Sequence, residues 1–529
     1  MRIIKRDRKS KNPKNYEIIK ERRNSHLPSE KQVNTDLSDK VEENLKKFCA
    51  FLKESSDMVF RKFKLGNNGI KCALLFVDGL VDKTVVNENI LKPLMSGVIE
   101  FEIKEERKVQ PEEAYEFVLN HAVYVGEMME VDNLDEAMLR LLSGEVVLII
   151  DGFRKLLVIG ARGWSMRSIS DPETEGVIRG AKEGFTETLR VNTALLRRKC
   201  RDPNMVIKTI RLGRRSKTDI AYIYIKGITN PVLLKEVEER LQSVDIDQII
   251  SSGHLEQLIQ DNTMTPIPQI QATERPDKAI SNLMEGRIII LVDNSPFALI
   301  IPTTFTQFFQ SPEDYNERWI VTSFIRSLRW VASFLAVFTP AVYVAVLTYH
   351  PGLIPTRLAL SIAATREGVP FPSIIEAFLM EITIELLRES GARLPTSIGQ
   401  TIGIVGGIII GDAAVNAGLT SPIMVIIVSL TAIASFVIPT YSAAIALRTM
   451  RFPFMILAAV LGLYGVIIGF ILINIHLVSI KSFGIDFMTP QAPTLFQDLK
   501  DFVIRAPARK MRKRPLQAYP IDMIRMDMD

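Results

Sequence analysis

The chain has 529 residues, 47% hydrophobic and 24% charged, with a formal net charge of +5; it is too long for one ordinary domain, and its average hides two unlike halves. The basic surplus lies mainly at the two ends, residues 2–23 and 505–514. No aromatic-basic or zinc pattern accompanies it, which argues against nucleic acid and for cytoplasmic flanks or anionic-lipid contacts. Cys49, Cys72 and Cys200 are odd in number and far apart, so no disulfide framework or paired-thiol metal site is expected and a reducing side fits best.

Residues 1–65 read as a basic tail and a polar helix. The basic N-terminus has no apolar core behind it, so it is not read as a cleavable signal. Val41, Leu45, Phe48 and Leu52 form a stripe at helical period. Two strand-like runs then end alike, at Asp78-Gly79 and at Lys226-Gly227, each before a helical stretch. Later, GEVVLIIDGFRKLLVI from Gly144 aligns with GRIIILVDNSPFALII from Gly286, with Asp151 matching Asp293. Both read as two strands around a turn. The shared order predicts an α/β region of two related subdomains, 66–165 and 202–318; the alternative is chance likeness among apolar strands. Between them, 166–201 is expected to be a connecting helical segment with Phe185, Leu189, Asn192 and Leu196 on one face, serving as a hinge or lever.

Residues 319–480 read as an α-helical multi-pass transmembrane domain, followed by a basic cytoplasmic-type tail at 481–529. The first span is 327–349, with Arg326 and Arg329 marking a cytoplasmic entry that places the soluble region inside. A proline-rich connection around LALSIAATREG suits a re-entrant or interfacial segment. Further candidates are 373–390, 397–418, 422–441 and 453–480, giving four clear spans and a fifth less certain one. Arg448 and Arg451 ask for an inside loop and so does the tail, with one helix between them. Charge alone does not settle the topology, and an even number of crossings is preferred.

Gly399, Gly403, Gly406, Gly407 and Gly411 strip one helix face of side chains, so a neighbour can approach closely. Asp412 follows directly, and Glu381, Glu385 and Arg388 lie within about 60° on one helix face. Intramembrane carboxylates are costly and face protein or water. Glu381, Glu385 and Asp412, with Val405 and Ile409, are therefore candidates for a polar path or pore; a structural pair, most simply Glu385 with Arg388, is the competing reading.

Three stretches carry a resemblance: DPETEGVIRGAKEGFTETLRVNTALLRRKCRDP (171–203), PFPSIIEAFLMEITIELLRESGARLP (370–395) and IGQTIGIVGGIIIGDAAVNAGL (398–419). Together they resemble the A subunits of the GerA family of spore germinant receptors. The likeness runs from about residue 70 to residue 480 in the family's order. It implies a multi-pass subunit of the inner spore membrane that oligomerises into a ligand-gated channel releasing monovalent cations. It also implies a transporter-like, germinant-binding B subunit and a lipoprotein C subunit as partners. Stage V sporulation AF proteins share the layout and are the nearest alternative. A secondary transporter would need a repeat within the membrane part, which is not seen, while a non-conducting scaffold for partner subunits stays open.

No cofactor is expected. Asp171, Glu173 and Glu175 read as charges at the positive end of a helix rather than a metal site. The five histidines have no ligand spacing, and no phosphate loop, nucleophile elbow or zinc motif is present, so an enzyme has no residues to carry it.

Overall fold

The computed structural model describes residues 37–65, 69–97, 111–119, 123–163, 171–172, 174–393 and 410–526. In the head, helix α1 (Val41–Leu52) leads into strands β1 (Met58–Leu65) and β2 (Ile70–Val77). Then follow β3 (Met128–Val131), α2 (Leu134–Leu142), β4 (Val146–Ile150) and β5 (Leu156–Ile159). The set recurs as α3 (Leu189–Lys199), β6 (Met205–Leu212), β7 (Thr218–Ile225), α4 (Pro231–Gln242), α5 (Ser252–Ile259), β8 (Gln271–Thr273), α6 (Pro276–Leu283), β9 (Ile288–Val292) and β10 (Ala298–Ile301).

The two five-stranded sheets have the same order, β1-β2-β4-β5-β3 and β6-β7-β9-β10-β8. Register is kept as well: Cys72 opposes Ile150 and Ile220 opposes Val292, one residue before Asp151 and Asp293. Each sheet is covered on both faces, which explains why its central strands are continuously apolar. Ala73, Leu75, Val147 and Ile149 pack under α1 and α2, as Ala221, Ile223, Ile289 and Leu291 pack under α3 and α6. The opposite faces, from Leu74 and Leu148 and from Tyr222 and Ile290, lie against Val86 and Ile90 and against Leu233 and Val237. Burying each of these larger aliphatic side chains contributes about 1.5–3 kcal/mol.

The segment read as a connector belongs to the second layer. Leu189, Leu195 and Leu196 of α3 sit in the core of the second sheet, and α3 is the counterpart of α1. Matching polar residues fix both helices. Asp151 accepts from the Val41 amide at 3.0 Å and Asp293 from the Leu189 amide at 3.0 Å, each satisfying an otherwise orphan N–H in the first turn. Asn44 and Asn192, one turn inside, both fold back on the preceding chain, bonding Ser38 and Thr186. Gly144 and Gly286 take positive φ, 92° and 89°, where each chain turns tightly from helix into strand.

Below the head lie α7 (Trp319–Tyr349), α8 (Thr356–Arg366), α9 (Ser373–Arg393), α10 (Pro422–Phe436) and α11 (Tyr441–Ser479). Among the described residues, α7 and α11 are long and apolar enough to cross a membrane, and α10 is a shorter apolar helix of 15 residues. Such helices mark this part as membrane-associated.

α11 is not one rod. Gly462 has φ 65° and ψ −144°, a conformation that only glycine adopts readily. Beyond it the chain doubles back: a Cβ built on Gly469 would lie 2.5 Å from the Phe454 ring, and Leu477 shares a cluster with Ala443 and Ala444. A straight helix would separate positions 454 and 469 by about 22 Å. The arms 441–461 and 463–479 are therefore antiparallel, with the bend against Tyr349 and His350 at the end of α7. This corrects the expectation of one glycine-broken span over 453–480 preceded by a loop holding Arg448 and Arg451; both arginines lie inside the first arm.

The tail is not a loose basic flank either. Ser482, Asp498, Asp501, Arg505 and Gln517 all bond within the tail or onto the second half of the head and its exit. Direct contact thus puts the head and residues 481–526 on one side of the helices.

Candidate functional site

The chain leaves the head through Asp314, a buried carboxylate in the short helix Glu313–Asn316. It accepts from Arg326 Nε at 2.8 Å and from Arg329 Nη1 at 2.8 Å on both oxygens. Arg326 also donates to Asp501 of the tail at 2.7 Å, and Arg505 donates to the Asp314 carbonyl at 2.6 Å. Trp330 stacks on Phe309 with centroids 4.4 Å apart and meets Phe502 edge-on at 5.1 Å. Arg326 and Arg329, expected as flanking charges, are instead buried and neutralised in this collar, so they report packing rather than orientation. Nothing but their spacing in α7 signalled the site, because Asp314 and Asp501 are 187 residues apart in sequence.

Deeper in, three of the four carboxylates of α9, Glu376, Glu381 and Glu385, each meet arginine. Glu376 binds Arg366 at 2.8 Å and accepts from the Ser421 amide at 2.9 Å. Glu381, fully buried, bonds Arg451 from the first arm of α11. Glu385 lies 3.3 Å from Arg388 and 3.7 Å from Arg448. Such pairing is what removes the large cost of an isolated charge in a low-dielectric interior. Arg451 also donates Nε to the Ala336 carbonyl at 2.8 Å. That carbonyl is free because Pro340, four residues on, has no N–H to offer it. The sequence pointed to Glu385 with Arg388, whereas Arg451, Arg448 and Arg366 come from helices it could not place beside α9.

Asp412 differs. It is exposed on the helical stretch 410–416, and its described side-chain partner is Asn416, 3.1 Å away on the same stretch. Gly411 beside it is buried, with room for a Cβ only in van der Waals contact with Val425 of α10. Gly399, Gly403, Val405, Gly406, Gly407 and Ile409 lie outside the described residues. In the head, Glu175 does not cap a helix: it pairs with Lys278 at 2.6 Å and accepts from Thr273 and the Glu274 amide. Among the described residues no group of three His, Cys, Asp or Glu side chains could hold a metal ion.

The Bacillus/Clostridium GerA spore germination protein family model matches residues 46–517. Spore germination protein B1 of Bacillus subtilis is 44% identical over 93% of this chain and 99% of its own length. Spore germination protein KA of the same organism is 42% identical over 90% of this chain and 86% of its own. Spore germination protein GerLA of Bacillus cereus is 41% identical over 91% and 96%. The crystal structure of the N-terminal domain of the A subunit of the Bacillus megaterium spore germinant receptor GerK3 aligns at 35% identity, covering 52% of this chain and 99% of that one, with a TM-score of 0.40. With a family match over most of its length and relatives above 40% identity across nine-tenths of it, the chain belongs to the GerA spore germination protein family.

Proposed function

We propose that the chain is the A subunit of a nutrient germinant receptor, that it oligomerises in the inner spore membrane, and that the oligomer is a ligand-gated channel for monovalent cations. It works beside a transporter-like B subunit that binds the germinant and a lipoprotein C subunit. Its likeness to the spore germination proteins B1, KA and GerLA supports a role in germination. The direction of the helices supports an even number of traverses. α7 leaves the head, α9 and α10 return toward it, the first arm of α11 leads away, and the second arm comes back to the tail.

The observation that carries the channel reading is Asp412. Every described carboxylate of α9 from Glu376 to Glu385 is matched by arginine within the chain, whereas Asp412 and Asn416 face outward from an apolar body. An outward carboxylate at this depth needs water or a second copy, and a ring of copies around water supplies both. Glu381 and Glu385 then hold the helices in register, and bulky substitution at Gly403 or Gly407 abolishes the oligomer.

Cation flux through the reconstituted protein, measured with Asp412→Asn and Glu381→Gln alongside protein and oligomer levels, tests this. Reduced flux in assembled Asp412→Asn supports a water-facing ring; unchanged flux with normal assembly removes Asp412 from the path. A non-conducting scaffold is the second reading, favoured by the pairing of Glu381 and Glu385 with arginines of the same chain, and absence of flux from well-formed wild-type oligomers would select it.

A further inference from the structure

Where the head meets the helices there is a cavity of about 500 Å³. Thr174, Gln310 and Ser311 of the head line one wall; Phe436, at the end of α10, and Arg388 and Arg448 line the other. Its level is fixed by the elements that form it. Ser311 is three residues before Asp314, and Tyr441, which also borders the space, opens the first arm of α11. It therefore lies at the boundary between polar head and apolar body, where tyrosine side chains and phosphate headgroups both collect.

The charges in its wall are unevenly served. Glu175, at the head rim, is already taken by Lys278 and Thr273. Arg388 stacks on Phe436 with its guanidinium carbon 4.5 Å from the ring centre, donates to Ser435 at 3.2 Å and reaches Glu385 at 3.3 Å. Among the described residues Arg448 has a long approach to the same carboxylate, 3.7 Å from Nε, and that buried Nε makes no hydrogen bond to any of them. One carboxylate thus faces two guanidinium groups. A buried donor left without an acceptor is costly, and guanidinium groups bind phosphate oxygens well.

We infer that this cavity is a binding site for a phosphate-bearing anion, seated on Arg448 and Arg388, and that the anion is the headgroup of an acidic phospholipid. The mixed lining fits such a group: Phe436, Ile438 and Pro439 offer an apolar wall for the glycerol and upper chains, while Thr174 and Ser311 offer hydroxyls to the phosphate. The inference rests on the membrane placement of the helices and not on conduction. A chain that binds lipid but passes no ions leaves it intact.

The test uses full-length protein in detergent micelles, titrated with dioctanoyl-phosphatidylglycerol, dioctanoyl-phosphatidylcholine or inorganic phosphate and read by native mass spectrometry and thermal shift. Saturable binding of phosphatidylglycerol is expected, weakened about tenfold or more in Arg448→Gln, with phosphatidylcholine much weaker. Thr174→Trp, which narrows the cavity from the exposed head rim without touching an arginine or a packed helix, gives the same loss in a protein whose helices are unaltered. Inorganic phosphate that binds with equal Arg448 dependence keeps the site and names a free anion as its occupant. Equal binding of both lipids, or unchanged phosphatidylglycerol affinity in Arg448→Gln and Thr174→Trp alike, overturns the inference.

Discussion

The two halves of the head are built to one plan and used in two ways. In the first, the position after Gly144 is Glu145, a buried carboxylate that pairs with the more exposed Arg162 and Arg140 of its own half. In the second, the matching position after Gly286 is Arg287, buried and donating to the Pro302 carbonyl, Gln307 and Gln517 of the tail. A single change of sign at an equivalent buried site thus turns an ion pair within one half into an anchor for 481–526. The second half also carries Asp314 and the exit into α7. The first half reaches the rest of the described chain mainly through its partner: Arg197 of α3, fully buried, forks onto Asp57 at 2.7 and 3.1 Å and onto Ser55 at 2.9 Å, and Ser56 adds a backbone bond to Ile207. Equal folds do not imply equal duties.

That contrast can be broken at its strongest point first. Asp314→Ala leaves Arg326 and Arg329 buried without their shared carboxylate, and removing one member of a buried ion pair costs about 3–5 kcal/mol. The expected outcome is a lower melting temperature of the full chain in detergent with new protease cleavage near residues 302–318; a wild-type digest would remove the collar from the account. Arg197→Met strands Asp57 instead, with an expected loss of about 3 kcal/mol. Cleavage should appear at 164–188 while the second half and tail stay protected. Restoring stability with Asp57→Leu in the same chain would confirm that the stranded charge, not lost packing, causes the loss.

Smaller effects test the likeness of the halves. Asp151→Ala and Asp293→Ala each remove the acceptor for a first-turn amide and should cost about 1 kcal/mol apiece, by the usual value of a helix N-terminal cap. Clearly unequal losses in denaturant titration would show that the second half has drifted from the shared plan.

A pH-dependent effect concerns the tail. Burial pushes the Asp498 carboxyl up to about 6, although the Leu516 amide, 2.8 Å away, favours its charged form. A carboxyl whose pKa is higher folded than unfolded stabilises most below its unfolded value near 4. That stability is lost as pH rises toward 6 and stays lost above. Asp498→Asn keeps an acceptor for Leu516 without the buried charge, so its melting temperature should exceed that of the wild type at pH 7.5 and the gap should shrink at pH 4.5. A gap independent of pH would mean that Asp498 titrates normally.

The head was readable in sequence because its signals are local and doubled. Asp78-Gly79, Gly144 and Asp151 mark turns whose chemistry recurs 142 to 148 residues later, and periodicity told the helices from the strands. The role of α3 was misread because an amphipathic stripe says that a helix is covered, not by what. The helical body was less legible. Arg448 and Arg451 looked like loop charges, since nothing near them in sequence shows that Glu381 and Glu385 lie alongside. Gly462 was visible as one of several glycines, but its positive φ appears only once the arms are seen packed together. The partners of Asp314 come from α7 and the tail, and no spacing rule links them.

The pairing of Arg451 with the Ala336 carbonyl makes the stiffness of α7 at Pro340 conditional. Proline leaves a gap in the helix ladder, and here the gap is filled by a side chain from the hairpin that Glu381 also grips. Three separate segments therefore meet in one joint whose stiffness belongs to none of them alone. Sliding the hairpin by a single turn would withdraw the donor and soften α7 at its middle, so a displacement begun at the tail side could be felt as a change in flexibility at the far end of the first helix, with no rearrangement of the head.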